Sequence, residues 1–264
     1  MRNVVKNFDA EKFDLTKILN QIKSLALSTA PKEKVVVILG ATATGKSTLA
    51  LQAAKVFDTE IISADSMSVY KNFNVGTAKP TESERAEVKH YLIDILEPEE
   101  KFSVAEFVRM AAPIITDLNR ADKIPIIAGG TGLYIQALIE GYQFGDGVKS
   151  RESFFSQTGE LKYNALVIGL TADRQELYAR IDERTEKMFD AGLVEEVENL
   201  LNQGVSPTAQ AMLSIGYKEV VDYLQSKCTL DDVVAKVKQA TRNFAKRQLT
   251  WYRRMNYINW FNVS

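Results

Sequence analysis

Cysteine occurs once in this 264-residue chain, at Cys228, and histidine once, at His90. A single cysteine excludes an intramolecular disulfide and a cysteine-based zinc cluster, and it suits a reducing compartment. No apolar run approaches the roughly 20 residues that a bilayer span requires, so no membrane partner is expected. The start of the chain has no apolar h-region, and Asp9, Glu11 and Asp14 argue against a transit peptide; a cytoplasmic protein is expected. Internal repeats and low-complexity tracts are lacking too. Net charge is near zero, with 33 basic and 34 acidic residues, yet acidic residues stop at Asp232. Beyond it stand Lys236, Lys238, Arg242, Lys246, Arg247, Arg253 and Arg254, among Phe244, Trp251, Tyr252, Tyr257, Trp260 and Phe261. Such a basic, aromatic end fits either a polyanionic partner or a solvated basic helix with a core-packed aromatic tail.

What is present is a phosphate-binding loop. Gly40-Ala-Thr-Ala-Thr-Gly-Lys-Ser47 follows the apolar run Val35–Leu39 and precedes the helix-like Thr48–Lys55. The glycines let successive amides point into one nest, and the following helix adds unpaired N–H groups and its positive dipole end. Candidate phosphate ligands are Gly40, Thr42, Ala43, Thr44, Gly45, Lys46, Ser47 and Thr48. Lys46 supplies a mobile charge, and the Ser47 hydroxyl is the candidate ligand for Mg²⁺.

Strand-like runs at 60–64, 90–95, 124–128 and 164–170 alternate with helical patterns. This predicts an α/β fold: a P-loop NTPase-like parallel sheet with helices on both faces and extra C-terminal helices. Ser103 and Glu106 stand at capping-box spacing for a helix from Val104. The chain divides into an amphipathic leader and linker (1–33), a P-loop core (34–141), a polar, weakly periodic segment (142–163, with Gly145-Asp-Gly147), and the rest of the core with basic C-terminal helices (164–264). The leader either packs on the core or binds a partner. Ligands of parallel sheets bind beyond the strands' C-terminal ends, so the P-loop, Asp65-Ser66 and Gly129-Gly130-Thr131 should meet in one cleft.

A hydrolytic P-loop enzyme usually has a strand ending in a Mg²⁺-binding Asp. Here the run Ile124–Ala128 ends in Gly129-Gly130 instead. Asp65 is placed to meet a second substrate, or else to cap the loop locally. Thr131 is a phosphate donor or a turn residue. Arg180 and Arg184, at i and i+4, either clamp an oxyanion or join an ion-pair array with Asp182, Glu183 and Glu186. His90 reads as structural.

Together these residues resemble the tRNA dimethylallyltransferase (isopentenyltransferase) family. The likeness runs through the P-loop, Ile61-Ile-Ser-Ala-Asp-Ser-Met-Ser-Val-Tyr70, Gly76-Thr-Ala-Lys-Pro80, His90-Tyr-Leu-Ile-Asp94 and Gly129-Gly-Thr-Gly-Leu-Tyr134. It continues in Ile215-Gly-Tyr-Lys-Glu219 and Thr241-Arg-Asn-Phe-Ala-Lys-Arg-Gln-Leu-Thr-Trp251. The resemblance implies transfer of a five-carbon prenyl group from dimethylallyl diphosphate to the exocyclic amine of an adenosine beside the tRNA anticodon. It implies Asp65 as general base, Thr131 and Arg184 as catalytic donors to the leaving diphosphate, and Arg180 as a weaker one. Asp65, Ser66, Met67, Ser68 and Thr131 would meet the target base, and Arg242, Lys246 and Arg247 the tRNA. Mg²⁺ at Ser47 and a monomer are expected. Ala41 replaces the family's usual Pro. More substantially, only about twenty residues join Gly141 to Asn164, where the family has a helical insertion and an Arg-Ile-His-Pro-Asn motif. Alternatives are prenylation of free adenine nucleotides, a small-molecule P-loop kinase, and a non-catalytic RNA-binding relic.

Overall fold

The computed structural model describes residues 10–29, 31–144 and 153–264. In chain order its elements are β1 (Glu11–Lys12), α1 (Leu15–Leu27), β2 (Lys34–Gly40), α2 (Lys46–Val56), β3 (Ile61–Ser63), α3 (Glu82–Glu87), β4 (His90–Tyr91), α4 (Val104–Arg120), β5 (Ile126–Ala128), α5 (Gly132–Glu140) and α6 (Phe154–Thr158). Then follow β6 (Asn164–Thr171), α7 (Arg174–Asp190), α8 (Leu193–Asn202), α9 (Tyr217–Leu224), α10 (Leu230–Tyr252) and β7 (Asn259–Asn262).

The strands form one sheet in the order β1-β7-β6-β2-β5-β3-β4, every pairing parallel. β2 lies at its centre, flanked by β6 and β5, with Val36 opposite both Leu166 and Ile126. Such a strand is covered on both faces, which is why its sequence is an unbroken Val/Ile/Leu run. Alternate residues serve the two faces. Val36 and Ile38 join a core with Ile18 and Ile22 of α1 and Leu49, Ala50 and Ala53 of α2. Val35, Val37 and Leu39 join a larger core built with α4, α5, α8, α9 and α10.

Local signals set several boundaries. The Ser103 hydroxyl accepts from the Glu106 amide (3.2 Å) while the Glu106 carboxylate accepts from the Ser103 amide (2.8 Å), the expected capping box of α4. Thr229 and Asp232 start α10 in the same way.

The fold decides two alternatives that the sequence left open. The leader packs on the core: α1 lies on β2 and β6, and β1 extends the sheet beside β7. The aromatic end is core-packed, as a strand rather than as more of the basic helix. α10 stops at Tyr252, and Asn259–Asn262 returns as β7 beside β6, burying Phe261 to 1 % exposure. Aromatic residues at the end of a polar segment fit a half-buried strand as well as a nucleic-acid platform, and only the sheet edge offered by β6 decides between them. Gly145-Asp146-Gly147 lies outside the described residues.

Candidate active site

The cleft opens where β2, β3 and β5 end. A Cβ on Gly40, at φ 152°, would stand 2.4 Å from the Leu170 carbonyl oxygen of the adjoining strand. Glycine is therefore required where the P-loop leaves the sheet. Ala43 (φ 64°) and Gly45 (φ 84°) then turn the chain through left-handed conformations into the N-terminus of α2. Thr44 braces this turn from inside, its hydroxyl donating to the Ala41 carbonyl (2.8 Å). Ala43 packs beside Ala41, Leu177, Ile181 and Ala245, while Thr48 is exposed on the first turn of α2.

A cavity of about 110 Å³ lies against this loop, and its lining includes Thr42, Lys46, Ser47, Asp65, Arg184 and Gln248. Lys46 donates to the Ala41 carbonyl (2.7 Å) and pairs with no carboxylate among the described residues. Burial, aided by the Arg184 guanidinium, pushes its ammonium down to about 7; Asp65 opposes the shift. Arg184 likewise makes no hydrogen bond or ion pair among the described residues, and burial lowers it against the pull of Asp65. Two cations facing one small cavity, without carboxylate partners among the described residues, suit an anion.

Asp65 caps its loop locally and also lines the cavity. Its Oδ1 accepts from the amides of Met67 (2.8 Å) and Ser68 (3.3 Å), shaping the loop. Its Oδ2 accepts from no protein group among the described residues. Ser68 is buried on the cavity wall, and Met67 packs against the larger core. Thr131 ties two loops together: its Oγ accepts from the Ser66 amide (3.0 Å) and its amide donates to Ala64 O (3.1 Å). The approach is so close that a Cβ on Gly129 would sit 2.2 Å from the Ala64 carbonyl oxygen.

Arg180 is not part of this constellation. It pairs with Glu176, not with the Asp182, Glu183 or Glu186 of the expected array, and donates to the Val263 carbonyl (2.8 Å), while Arg184, one turn later, faces the cavity. The Thr42 amide is likewise not free for phosphate, because it donates to Gln248 Oε1 (2.9 Å); the residue still lines the cavity. His90 also lines the cavity, with Nδ1 against the Val88 carbonyl (2.8 Å), and burial lowers its pKa.

Several site-shaping residues escaped the sequence reading. Glu196 on α8 gathers the amides of Asn74 (2.9 Å), Val75 (2.8 Å) and Gly76 (3.2 Å) and the Tyr217 hydroxyl (2.6 Å). This pins the loop whose Thr77, Ala78 and Pro80 wall the cavity. Lys79 is buried on Asp94 (2.5 Å), which also takes Arg85 (2.6 Å), so Asp94 is a structural acid. Gln248 is a buried polar residue between the P-loop and Gly130. The spacing of Glu196 and Gln248 carried no signal, since each acts on a loop more than fifty residues away, whereas Lys79, Arg85 and Asp94 are near neighbours in the chain.

Along α10, the cations divide. Arg242 places Nη1 on both oxygens of Asp182 (2.6 and 2.8 Å), and Lys238 pairs with Glu186 (2.5 Å), binding α10 to α7. Lys246 and Arg247 are exposed without carboxylate partners among the described residues, Arg247 resting 5.7 Å from the Phe244 ring centroid.

No cluster of three or more His, Cys, Asp or Glu fit to hold a metal occurs among the described residues. The exposed Ser47 hydroxyl at the cavity is nevertheless a hard oxygen donor, which fits a Mg²⁺ that shares phosphate oxygens and keeps its waters.

A P-loop on a parallel sheet, two unpaired cations and a facing carboxylate define a phosphate-binding group-transfer protein. Comparison makes this particular. The IPP transferase family model matches residues 68–157 and 146–255. The tRNA dimethylallyltransferases of Anoxybacillus flavithermus and Bacillus cereus are each 38% identical over 88% of this chain and 91% of their own length. The solved tRNA isopentenylpyrophosphate transferase of Bacillus halodurans superposes with a TM-score of 0.80 at 36% identity, covering 88% of this chain and 90% of that one. A eukaryotic dimethylallyltransferase acting on tRNA gives 0.71 at 26% identity, with 83% and 70% covered. The chain belongs to the IPP transferase family. The alignment with the Anoxybacillus enzyme runs over 284 positions, more than the whole of this chain, so that relative has residues with no counterpart here. The two family-model matches meet at 146–157, within the short connection between α5 and β6.

Proposed function

We propose that this protein moves a dimethylallyl group from dimethylallyl diphosphate to the exocyclic amine of an adenosine beside the anticodon of tRNA, releasing diphosphate. One observation carries the reading: Lys46 and Arg184, both without carboxylate partners among the described residues, line a single cavity together with Asp65. The allylic C–O bond breaks as the bond from the adenine nitrogen to the allylic carbon forms. Negative charge grows on the departing diphosphate, where the amide nest, Lys46 and Arg184 stabilise it. Asp65 accepts the proton that the amine sheds. Ile93 and Phe244 give the same cavity an apolar wall suited to the hydrocarbon. Mg²⁺, when bound at Ser47, supplies further charge to the phosphate oxygens. The target adenosine leaves the anticodon-loop stack to reach the Ser66–Ser68 loop, and Lys246 and Arg247 meet tRNA phosphates. We place the protein in the cytoplasm, acting as a monomer; no described helix is long and apolar enough to cross a membrane.

The test is incubation with labelled dimethylallyl diphosphate and Mg²⁺, offering tRNA in one arm and AMP in the other. Label in tRNA supports the proposal. Label in AMP alone replaces tRNA with free nucleotide as acceptor, and label in neither overturns the transfer reading.

A further inference from the structure

Gln248 is 5 % exposed, lies one turn before the end of the long α10 helix, and has both ends of its carboxamide engaged. Oε1 accepts from the Thr42 amide (2.9 Å), and Nε2 donates to the Gly130 carbonyl (2.9 Å). The partners fix the orientation of the amide: Thr42 N–H only donates and Gly130 C=O only accepts, so a flipped group would set like against like twice. One turn later the Tyr252 hydroxyl donates to the same Gly130 carbonyl (3.0 Å). Space is made for this contact, since a Cβ on Gly130 would lie 2.5 Å from Nε2.

The bridge joins the two halves of the site. β2 and β5 are in register only as far as Ile38 opposite Ala128, with one last bond from the Gly129 amide to Ile38 O (3.3 Å). Past that point, among the described residues, no hydrogen bond runs directly between 40–47 and 129–132. Gln248 supplies the connection, and Thr131 carries it on to the Ser66 amide, next to Asp65. The path therefore runs from the phosphate cradle through a helix side chain to the loop of the carboxylate.

We propose that Gln248 is a positioning residue that sets the spacing between the diphosphate cradle and the Asp65 carboxylate. It touches neither reacting group in this role. The proposal rests on the transfer reading above and adds to it a residue that acts on orientation rather than on charge. Misplacing reacting groups by about an ångström is enough to cost about a hundredfold in rate.

Two variants test it. Gln248→Met keeps the shape and removes both bonds. Its kcat is expected to fall about tenfold to a hundredfold, with KM for dimethylallyl diphosphate within about threefold of wild type. Gln248→Glu keeps the acceptor for Thr42, but when ionised it turns an oxygen lone pair toward the Gly130 carbonyl. Protonated, it reproduces the glutamine pattern, so its kcat deficit relative to wild type should shrink as pH falls from 8 to 5.5. Thermal melts at both pH values report folding. Wild-type kcat in Gln248→Met, or a Gln248→Glu deficit equal at both pH values in folded protein, overturns the proposal. Amide hydrogen exchange gives a readout that does not need turnover: 40–47 and 129–132 should lose protection together in Gln248→Met, and unchanged protection of both overturns it. If wild type itself transfers nothing, the transfer reading fails, and the exchange result still decides whether Gln248 sets the two loops.

Discussion

The phosphate cradle and α10 hold positive charge on opposite terms. In the cradle, Lys46 and Arg184 sit partly buried with no ion-pair partner among the described residues; burial depresses both, Arg184 depresses Lys46 further, and Asp65 opposes both shifts from a distance. On α10 the charges are more numerous, but Arg242 is committed to Asp182 and Lys238 to Glu186. A partly buried, unpaired cation is costly to the free protein, and that cost is recovered when a polyanion arrives. A paired surface cation holds two helices together and has little left for a ligand. The contrast teaches that two cations in the cradle define the site more than seven along the C-terminal segment.

The largest effect should come from the one carboxylate that faces the cradle. Asp65→Ala is expected to lower kcat by about a thousandfold, read as labelled tRNA, while inorganic pyrophosphate still binds. Wild-type turnover would break the pairing of cradle and base. Next comes the comparison within α7. Arg184→Met should weaken pyrophosphate binding by about thirtyfold in calorimetry, near 2 kcal/mol, whereas Arg180→Met should leave it unchanged. Equal losses would show that the two arginines share the site after all.

The pH dependence follows from Lys46. Its pKa is about 7 in the free protein, and a bound diphosphate raises it, so binding takes up a proton at higher pH. Affinity for pyrophosphate should therefore fall up to about tenfold per pH unit between about pH 7.5 and 8.5, before the ligand loses its last proton. Lys46→Met should lose this slope along with most of the affinity. The smallest effects belong to α10. Replacing Lys246 and Arg247 with Gln should weaken tRNA binding about tenfold near 0.15 M salt and flatten its salt dependence by one to two phosphate contacts, to about that order. Arg242→Gln should leave the salt slope alone and cost about 1 kcal/mol in denaturant unfolding. A reversal of these last two would overturn the division between free and committed charges.

How far the sequence was legible depended on distance along the chain. The P-loop, its strand and its helix lie within about twenty residues, and each local signal agreed with the others. The same holds for the Ser103–Glu106 cap and for the strand ends that carry Asp65 and Gly129. Arg180 has Glu176 four residues before it and Glu183 three after, whereas Arg184 has no acid at either helical spacing, so local pairing already separates the two, and only the fold shows what Arg184 faces. The aromatic tail reads equally well as a stacking platform or as a strand. Glu196 and Gln248 are ordinary polar residues on ordinary helices, and their significance lies in what they face.

By itself, then, the sequence determined the sheet, the P-loop, the carboxylate beyond β3 and the family. Those depend on short-range stereochemistry: where glycine is needed, where an apolar run becomes a helix, and which residues end a strand. Tertiary structure alone decided which cations stay unpaired, which amide of the P-loop is already taken, and that the C-terminus closes into the sheet as β7. Each of these is a competition between partners far apart in the chain, and only packing brings the competitors within hydrogen-bonding distance.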